Sequence, residues 1–374
     1  MHILFTRFPL ESALGGAEIQ TLALMEELRT RGHAVSFLGS CPVLLAECRK
    51  RGFSVTELQV GPPPVTAFGA VRFLWRAPGM HNTLLDALKT HLKPDAIVML
   101  SLTEKLLATE WCAAQGIRVL WAEHDRVGRW LTRNPWLPRL RRLSAKAVTV
   151  TVSELSRTIY MKLGWNAQNL TVIPNGIDLH RFDASPRAER PDASENLRVG
   201  CVARLSPEKG IDVLVRAMQA VPEARLEIVG EGRQEPDLHA LIHDTLQESR
   251  IVIHGRAADL GAFYRSLDVL ILPSREHDPF GLVAAEAMSL GVPVVVTDAC
   301  GIASQLQDNS DALVVPAGDE AVLAGALQRL TDPALRALLS ANGQKTAQTR
   351  FSLTAMADRY EQVLAAGALT DRNI

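Results

Sequence analysis

Short apolar runs recur along the chain, and segments of helical character separate most of them. The first series is HILFT (2–6), AVSFL (34–38), FSVTEL (53–58), DAIVML (95–100), IRVLWA (117–122), KAVTVTV (146–152) and LTVIP (170–174). A polar, acid-rich break covers residues 183–196. After it come LRVGCVA (197–203), ARLEIVG (224–230), RIVIHG (250–255), DVLILP (268–273) and VPVVVT (292–297). Near-continuous apolar runs of this kind belong to strands of parallel sheets covered on both faces. The count is too large for one doubly wound sheet of ordinary size. It predicts two Rossmann-like α/β domains joined near Pro174-Asn175-Gly176. The predicted division is 1–175, 176–350 and a C-terminal helix over 351–374, with packing of that helix back onto the first domain as one option. From Pro333 onward the pattern is helical, with no strand.

Composition agrees with real cores. The chain has 374 residues, 47% of them hydrophobic. No run approaches the ~20 apolar residues of a membrane span. The opening MHILFTRFPL is too short an apolar run for a secretory signal and leads straight into a strand. Five scattered cysteines (Cys41, Cys48, Cys112, Cys201, Cys300) form no C-x-x-C pair, which suits a reducing cytosol rather than a disulfide framework or a zinc site. The expectation is a cytoplasmic protein.

Charge changes this picture. Residues 1–175 hold 21 Lys+Arg against 13 Asp+Glu, a net +8, and the remainder hold 19 against 28, a net −9. Most of the excess lies in RVGRWLTRNPWLPRLRRLSAK, Arg126 to Lys146, with seven basic residues, no acid, and Trp130, Trp136, Leu137 and Leu140 interleaved. One reading puts this stretch on an anionic bilayer surface as a peripheral contact. The other makes it a solvated face or a set of arginines that hold an anionic substrate. Pro135 and Pro138 interrupt any long amphipathic helix.

Chemistry-bearing residues gather where strands end. In DPFGLVAAEA (278–287), Asp278 reads as an N-cap and Pro279 as the first helical residue. Glu286 is a lone carboxylate among apolar neighbours, costly to bury without partners. Ligand hydroxyls would serve as those partners, and so would a core Arg or Lys. Free N–H groups at Phe280, Gly281 and Leu282 suit anionic oxygens. In RLSPEKG (204–210), Ser206 reads as N-cap and Pro207 as first helical residue. Lys209 then opposes the helix dipole unless an anion binds there, and Arg204 can reach the same anion. Gly15 and Gly16 open a helix after the first strand and allow close backbone approach to a phosphate or sugar. The loop before them, Arg7 to Leu14, is longer than a minimal turn. His124, in WAEHD, sits at the carboxyl end of a strand, the usual ligand edge. VGEGRQE (229–235) lacks the third glycine of a dinucleotide fingerprint, no P-loop exists, and no D-x-D pair supplies metal ligands. The two E-H-D triplets, 123–125 and 276–278, are weak substitutes.

The ordered series TVIPNGID, VARLSPEKG, IVGEG, HG, LDVLILPS and PFGLVAAEAMSLGVPVVVTD, supported by GGAE near the start, resembles the retaining glycosyltransferases of family 4. That resemblance implies a GT-B fold, two Rossmann-like domains facing a central cleft, with a nucleotide-sugar donor on the second domain and a glycan or lipid-linked acceptor on the first. It implies that Arg204 and Lys209 neutralise the donor diphosphate and that Glu286 bonds the ribose hydroxyls. Asp278 would bond donor-sugar hydroxyls, helped by the backbone of Phe280, Gly281 and Leu282. Gly15 and Gly16 would approach the phosphates, and His124 would contact the donor sugar. The family usually has Glu where this chain has Asp278, so donor choice is open and Glu276 is a candidate to compensate. No cofactor, metal or nucleic acid is expected. Front-face transfer is favoured, since no carboxylate is placed by sequence as a covalent nucleophile. A nucleotide-sugar epimerase of the same fold and a non-catalytic nucleotide or glycan binder are the alternatives.

Overall fold

The computed structural model describes residues 1–9, 15–89, 93–182 and 196–366. The expected loop before Gly15 and the acid-rich break therefore lie largely outside the described residues. Two compact units are present. One is Met1–Gly176 with the segment from Leu353 onward, and the other is Ile177–Ser352.

In the first unit β1 (His2–Arg7), β2 (Ala34–Gly39), β3 (Ser54–Glu57), β4 (Ala96–Met99), β5 (Arg118–Glu123), β6 (Val148–Thr151) and β7 (Leu170–Val172) form a parallel sheet in the order β3-β2-β1-β4-β5-β6-β7. In the second, β8 (Arg198–Val202), β9 (Arg225–Val229), β10 (Ile251–His254), β11 (Val269–Leu272), β12 (Val294–Thr297) and β13 (Leu313–Val315) are also parallel, in the order β10-β9-β8-β11-β12-β13. Every residue of β4, β11 and β12 is buried, whereas the edge strands β3 and β10 carry exposed positions. Continuous apolar runs thus became the central strands, as covered parallel sheets require.

The first unit's helices are α1 (Gly16–Thr30), α2 (Pro42–Lys50), α3 (Ala67–Ala87), α4 (Leu102–Ala114), α5 (Arg129–Thr132), α6 (Leu137–Ser144) and α7 (Glu154–Lys162). The second unit has α8 (Ile211–Ala217), α9 (Glu235–Asp244), α10 (Leu260–Arg265), α11 (Leu282–Ser289), α12 (Glu320–Arg329) and α13 (Pro333–Arg350). The last helix, α14 (Leu353–Ala365), returns to the first unit. There Met356, Tyr360 and Leu364 join Ile3, Phe5, Leu22 and Met25 in one core. Arg31, in the turn after α1, donates to Asp358 and Glu361 at 2.6 Å each.

The residues that flank the two crossings bond within their own units. Ile177 N donates to Phe351 O at 2.7 Å. On the other side Gly176 packs against α14, where an added Cβ would sit 2.9 Å from the Leu353 Cα. A side chain at position 176 would push α14 away.

The basic stretch from Arg126 to Lys146 differs from an amphipathic bilayer face. Leu131, Leu137, Leu140 and Leu143 are buried in the core of the first unit. Trp136 packs edge-on against Phe73 of α3 at 5.1 Å, and its Nε1 donates to Ala70 O. Arg139 donates to Leu106 O, Arg141 to Leu163 O, and Lys146 pairs with Glu110. The apolar residues between the cations thus hold the unit together. Among the described residues no helix is long and apolar enough to cross a membrane.

Candidate functional site

Each sheet reverses its strand order once, between β1 and β4 and between β8 and β11. Loops at the carboxyl ends of strands flanking such a point splay apart and leave a crevice. In the second unit those loops are Ala203–Gly210 and Pro273–Gly281, the two segments singled out in the sequence.

Glycine fixes the first loop. Gly230 has φ +157°, and a Cβ there would lie 1.8 Å from Ala203 O. A Cβ at Gly232 would lie 2.2 Å from Leu205 O. The V-G-E-G segment is therefore a close backbone seat for the Arg204 loop, fastened by Leu205 N to Glu231 O and Gln234 N to Leu205 O, both 3.0 Å. Arg204 is left exposed. Lys209 reaches across to the second loop, and its Nζ stands 2.5 Å from Asp278 Oδ2, which Ser274 Oγ also approaches at 3.3 Å. Backbone bonds from Arg275 N and Glu276 N to Glu208 O clamp the two loops together.

Two local expectations change here. Pro207–Lys209 is a 3-10 turn, and α8 starts only at Ile211 after the left-handed Gly210. Lys209 is thus ahead of the helix and not in its first turn, and Ser206 Oγ is buried without capping it. Likewise Asp278 is not the N-cap of α11. It bridges Cys300 in strand fashion, and the helix starts at Leu282 after Gly281 at φ +103°. The backbone N–H groups of Phe280, Gly281 and Leu282 nevertheless find no backbone acceptor among the described residues. They remain available to an anion or a hydroxyl.

Glu286 has partners inside its own unit. Arg181 Nη1 lies 2.5 Å from Oε1, and Tyr264 OH donates to Oε2 at 2.9 Å. Burial pushes the Glu286 carboxyl above the ordinary range, and Arg181 and Tyr264 pull it back. The core-paired alternative therefore describes this carboxylate as it stands. Each oxygen retains a lone pair, and Arg181 is itself 44% exposed, so an incoming hydroxyl can share or displace it.

In the first unit a cavity of about 380 Å³ occupies the corresponding crevice. Arg7 and Lys105 line its charged side with Glu123 and Asp125, and Pro63, Val65 and Trp130 line its apolar side. Arg7 pairs with Glu18 at 2.6 Å, and Gly15 N donates to Glu18 at 3.1 Å. Glu18 thus ties the start of α1 to the end of β1. Gly15 is extended, so its value lies in close approach and not in a left-handed backbone. Lys105 is buried against Glu123 at 2.8 Å, with Tyr160 OH on the other carboxylate oxygen, also at 2.8 Å. His124 follows Glu123. Burial, with Arg7 and Lys105 nearby, pushes its imidazole down to about 4 against the opposing pull of Asp125 and Asn175. At neutral pH it is an uncharged hydrogen-bonding group. No cluster of three or more His, Cys, Asp and Glu side chains is placed to hold a metal among the described residues.

Residues 14–181 match the family described as Glycosyltransferase Family 4, and residues 196–332 that described as Glycosyl transferases group 1. A GDP-mannose-dependent alpha-(1-6)-phosphatidylinositol monomannoside mannosyltransferase of Mycobacterium tuberculosis is 30% identical over 272 residues, which cover 67% of this chain and 70% of that protein. The chain belongs to the GT-B glycosyltransferases. The lipopolysaccharide core biosynthesis glycosyltransferase LpsD of Rhizobium meliloti is 32% identical over 200 residues, 53% of this chain and 58% of the relative. The chain thus spans less than two thirds of the length of that relative. The fold is shared along nearly the full length with Anabaena Alr3699/HepE, solved in complex with UDP, at a TM-score of 0.80, 20% identity and coverage of 98% and 100%.

In this member of the family the structure brings Arg204, Lys209, Asp278, Phe280, Gly281 and Leu282 together at one crevice of the second unit. Glu286 lies one helix turn beyond, on α11. Gly15, Gly16 and His124 belong to the first unit. Sequence reasoning missed Arg181 and Tyr264 on Glu286, and it missed the Glu18–Arg7 and Lys105–Glu123–Tyr160 networks. Glu18 and Glu123 stood inside the quoted GGAE and WAEHD motifs and were the available signal. Lys105 and Tyr160 carried none.

Proposed function

We propose that the chain transfers a sugar from a nucleotide-sugar donor to a glycan or lipid-linked acceptor, with retention of anomeric configuration, in the assembly of a cell-envelope polysaccharide or lipopolysaccharide. The observation that carries this is the second unit's crevice, where Lys209 and Asp278 meet beside the exposed Arg204 and N–H groups with no backbone acceptor among the described residues. Two cations and a helix N-terminus suit a diphosphate that gains charge as it leaves. Asp278 and the adjoining backbone suit sugar hydroxyls, and Glu286 suits a ribose once Arg181 yields. The roles of His124 and Gly16 rest on the family resemblance. The lipopolysaccharide relatives support the class of acceptor.

In the proposed reaction the bond from the anomeric carbon to the diphosphate oxygen breaks, and its electron pair leaves with the nucleoside diphosphate. The acceptor oxygen attacks from the same face, and its proton passes to the departing phosphate oxygen. Fixed cations stabilise that charge, so the reaction needs no metal. The cytoplasmic face of a membrane is the proposed workplace.

A panel of nucleotide sugars in a thermal-shift assay identifies the donor, because a ligand that binds the folded state raises its apparent stability. Transfer is then followed with and without EDTA. We expect one donor to shift the midpoint, product to retain the donor's anomeric configuration, and transfer to persist in EDTA. A new sugar nucleotide formed without acceptor would make the protein an epimerase. Activity lost in EDTA and restored by Mg²⁺ would refute the metal-free reaction.

A further inference from the structure

We propose that the outer face of α3 is a membrane-docking surface, seated on an anionic bilayer through Phe68, Val71, Leu74 and Trp75. These side chains are 71%, 56%, 60% and 84% exposed. They account for four of the eleven large apolar side chains exposed among the described residues. Their spacing of three, three or four, and seven residues puts them on one face of the helix. The opposite face, with Ala70, Phe73, Met80 and Leu84, is buried in the unit's core. Folding therefore accounts for one face of α3 and leaves the other uncovered. A contiguous exposed apolar patch of this kind marks an interaction site.

Charge selects the occupant. Arg72 and Arg76 stand exposed on the same stretch, and Arg72 lies over the Phe68 ring at 5.3 Å. No Asp or Glu occurs from Leu58 to Leu85. Aromatic and aliphatic side chains flanked by cations, with no acid, match the interface of an anionic leaflet. A second copy of this chain is a poorer match. It would bring like charges face to face, and four side chains offer on the order of 500 Å² where stable pairs hide about 800 Å² per partner.

The surface is continuous with the basic segment. Asn134 Nδ2 donates to Pro64 O at 2.6 Å, and Trp136 Nε1 to Ala70 O at 3.0 Å, so the start of α6 is bound to the start of α3. In this arrangement α3 supplies the inserting residues and the exposed Arg133, Arg141 and Arg142 add long-range attraction. The docking face also adjoins the cavity, whose wall includes Pro63 and Val65 just before α3. A lipid-linked acceptor would then meet the cavity at the bilayer surface. That use rests on the transferase reading, whereas the docking itself does not.

The test is flotation of the full chain, without substrates, on phosphatidylcholine vesicles with and without phosphatidylglycerol. We expect binding only with the anionic lipid, weakening as salt rises. The double variant Leu74→Ser/Trp75→Ser should bind at least about tenfold less, since each removed side chain forfeits apolar burial. Arg72→Glu/Arg76→Glu should bind no better on anionic than on neutral vesicles. Brominated lipids should quench wild-type tryptophan fluorescence, and Trp75→Phe should lose that quenching, a readout on a variant with minimal change. An unbound wild type at low salt, unchanged binding by Leu74→Ser/Trp75→Ser, or a dimer that this pair of substitutions dissociates would each overturn the proposal. Any of these results leaves the transferase assay free to succeed or fail separately.

Discussion

At the scale of single residues, Lys209 and Asp278 define what the second unit can do. Their contact at 2.5 Å means that each holds the other in place before any donor arrives. Removing a fixed charge aimed at a leaving group costs about 100- to 1,000-fold in turnover. Lys209→Ala and Arg204→Ala should each show a loss of that order in kcat/KM, measured on protein with an unchanged melting midpoint. Near-normal values for both would remove the diphosphate from this crevice. Asp278→Ala and Asp278→Asn should both impair turnover, because each releases Lys209 and also deletes an acceptor for sugar hydroxyls. Asp278→Glu should keep partial activity or change donor preference. If Asp278→Ala left the kinetics on the true donor untouched, the sugar-facing role would pass to Glu276, whose exposed side chain lies two positions earlier.

At the scale of elements, the N-terminus of α4 carries a titration of its own. Glu104 is fully buried and accepts from Ser101 N at 2.7 Å and Leu100 N at 3.1 Å, while its Oε2 has no partner among the described residues. Burial outweighs these bonds and pushes the carboxyl from 4.5 up to about 7. The folded protein therefore binds this proton more tightly than the unfolded chain does. Stability falls as pH rises from about 4.5 to about 7 and is level above that, as far as this group is concerned. Glu104→Gln cannot ionise, so its stability relative to wild type should grow across that window in urea denaturation at stepped pH. A constant difference from pH 4.5 to 8 would show that Glu104 is charged throughout. Elements also mark where the sequence was readable. The central strands were plain because burial on both faces leaves an uninterrupted apolar run. β13 was not, since three residues between Asp311 and Pro316 carry too little pattern. The starts of α8 and α11 misled for one shared reason. Ser206-Pro207 and Asp278-Pro279 look locally like an N-cap and first helical residue, but tertiary bonds to neighbouring loops delay both helices to a left-handed glycine. The crevice residues themselves were legible as motifs. Their ion partners were not, because Arg181 and Glu286, or Lys105 and Glu123, meet through packing that no local spacing encodes.

At the scale of the whole molecule, the second unit is an excursion from the first. The chain leaves at Gly176, and α14 completes the first unit only after Ser352. Ending the chain at Ser352 would strip Met356, Tyr360 and Leu364 from the core and leave Arg31 without Asp358 and Glu361. Such a truncation should lower the melting midpoint of the first unit while sparing the second. Calorimetry would show two transitions where the full chain keeps them closer, and a single unshifted transition would refute it. Synthesis order follows from the same feature. Residues 177–352 are contiguous and can fold as soon as they clear the ribosome, whereas residues 1–176 must wait for α14, which is made after them. While residues 177–352 are being made, the nascent first unit thus stands with the α14 side of its core uncovered.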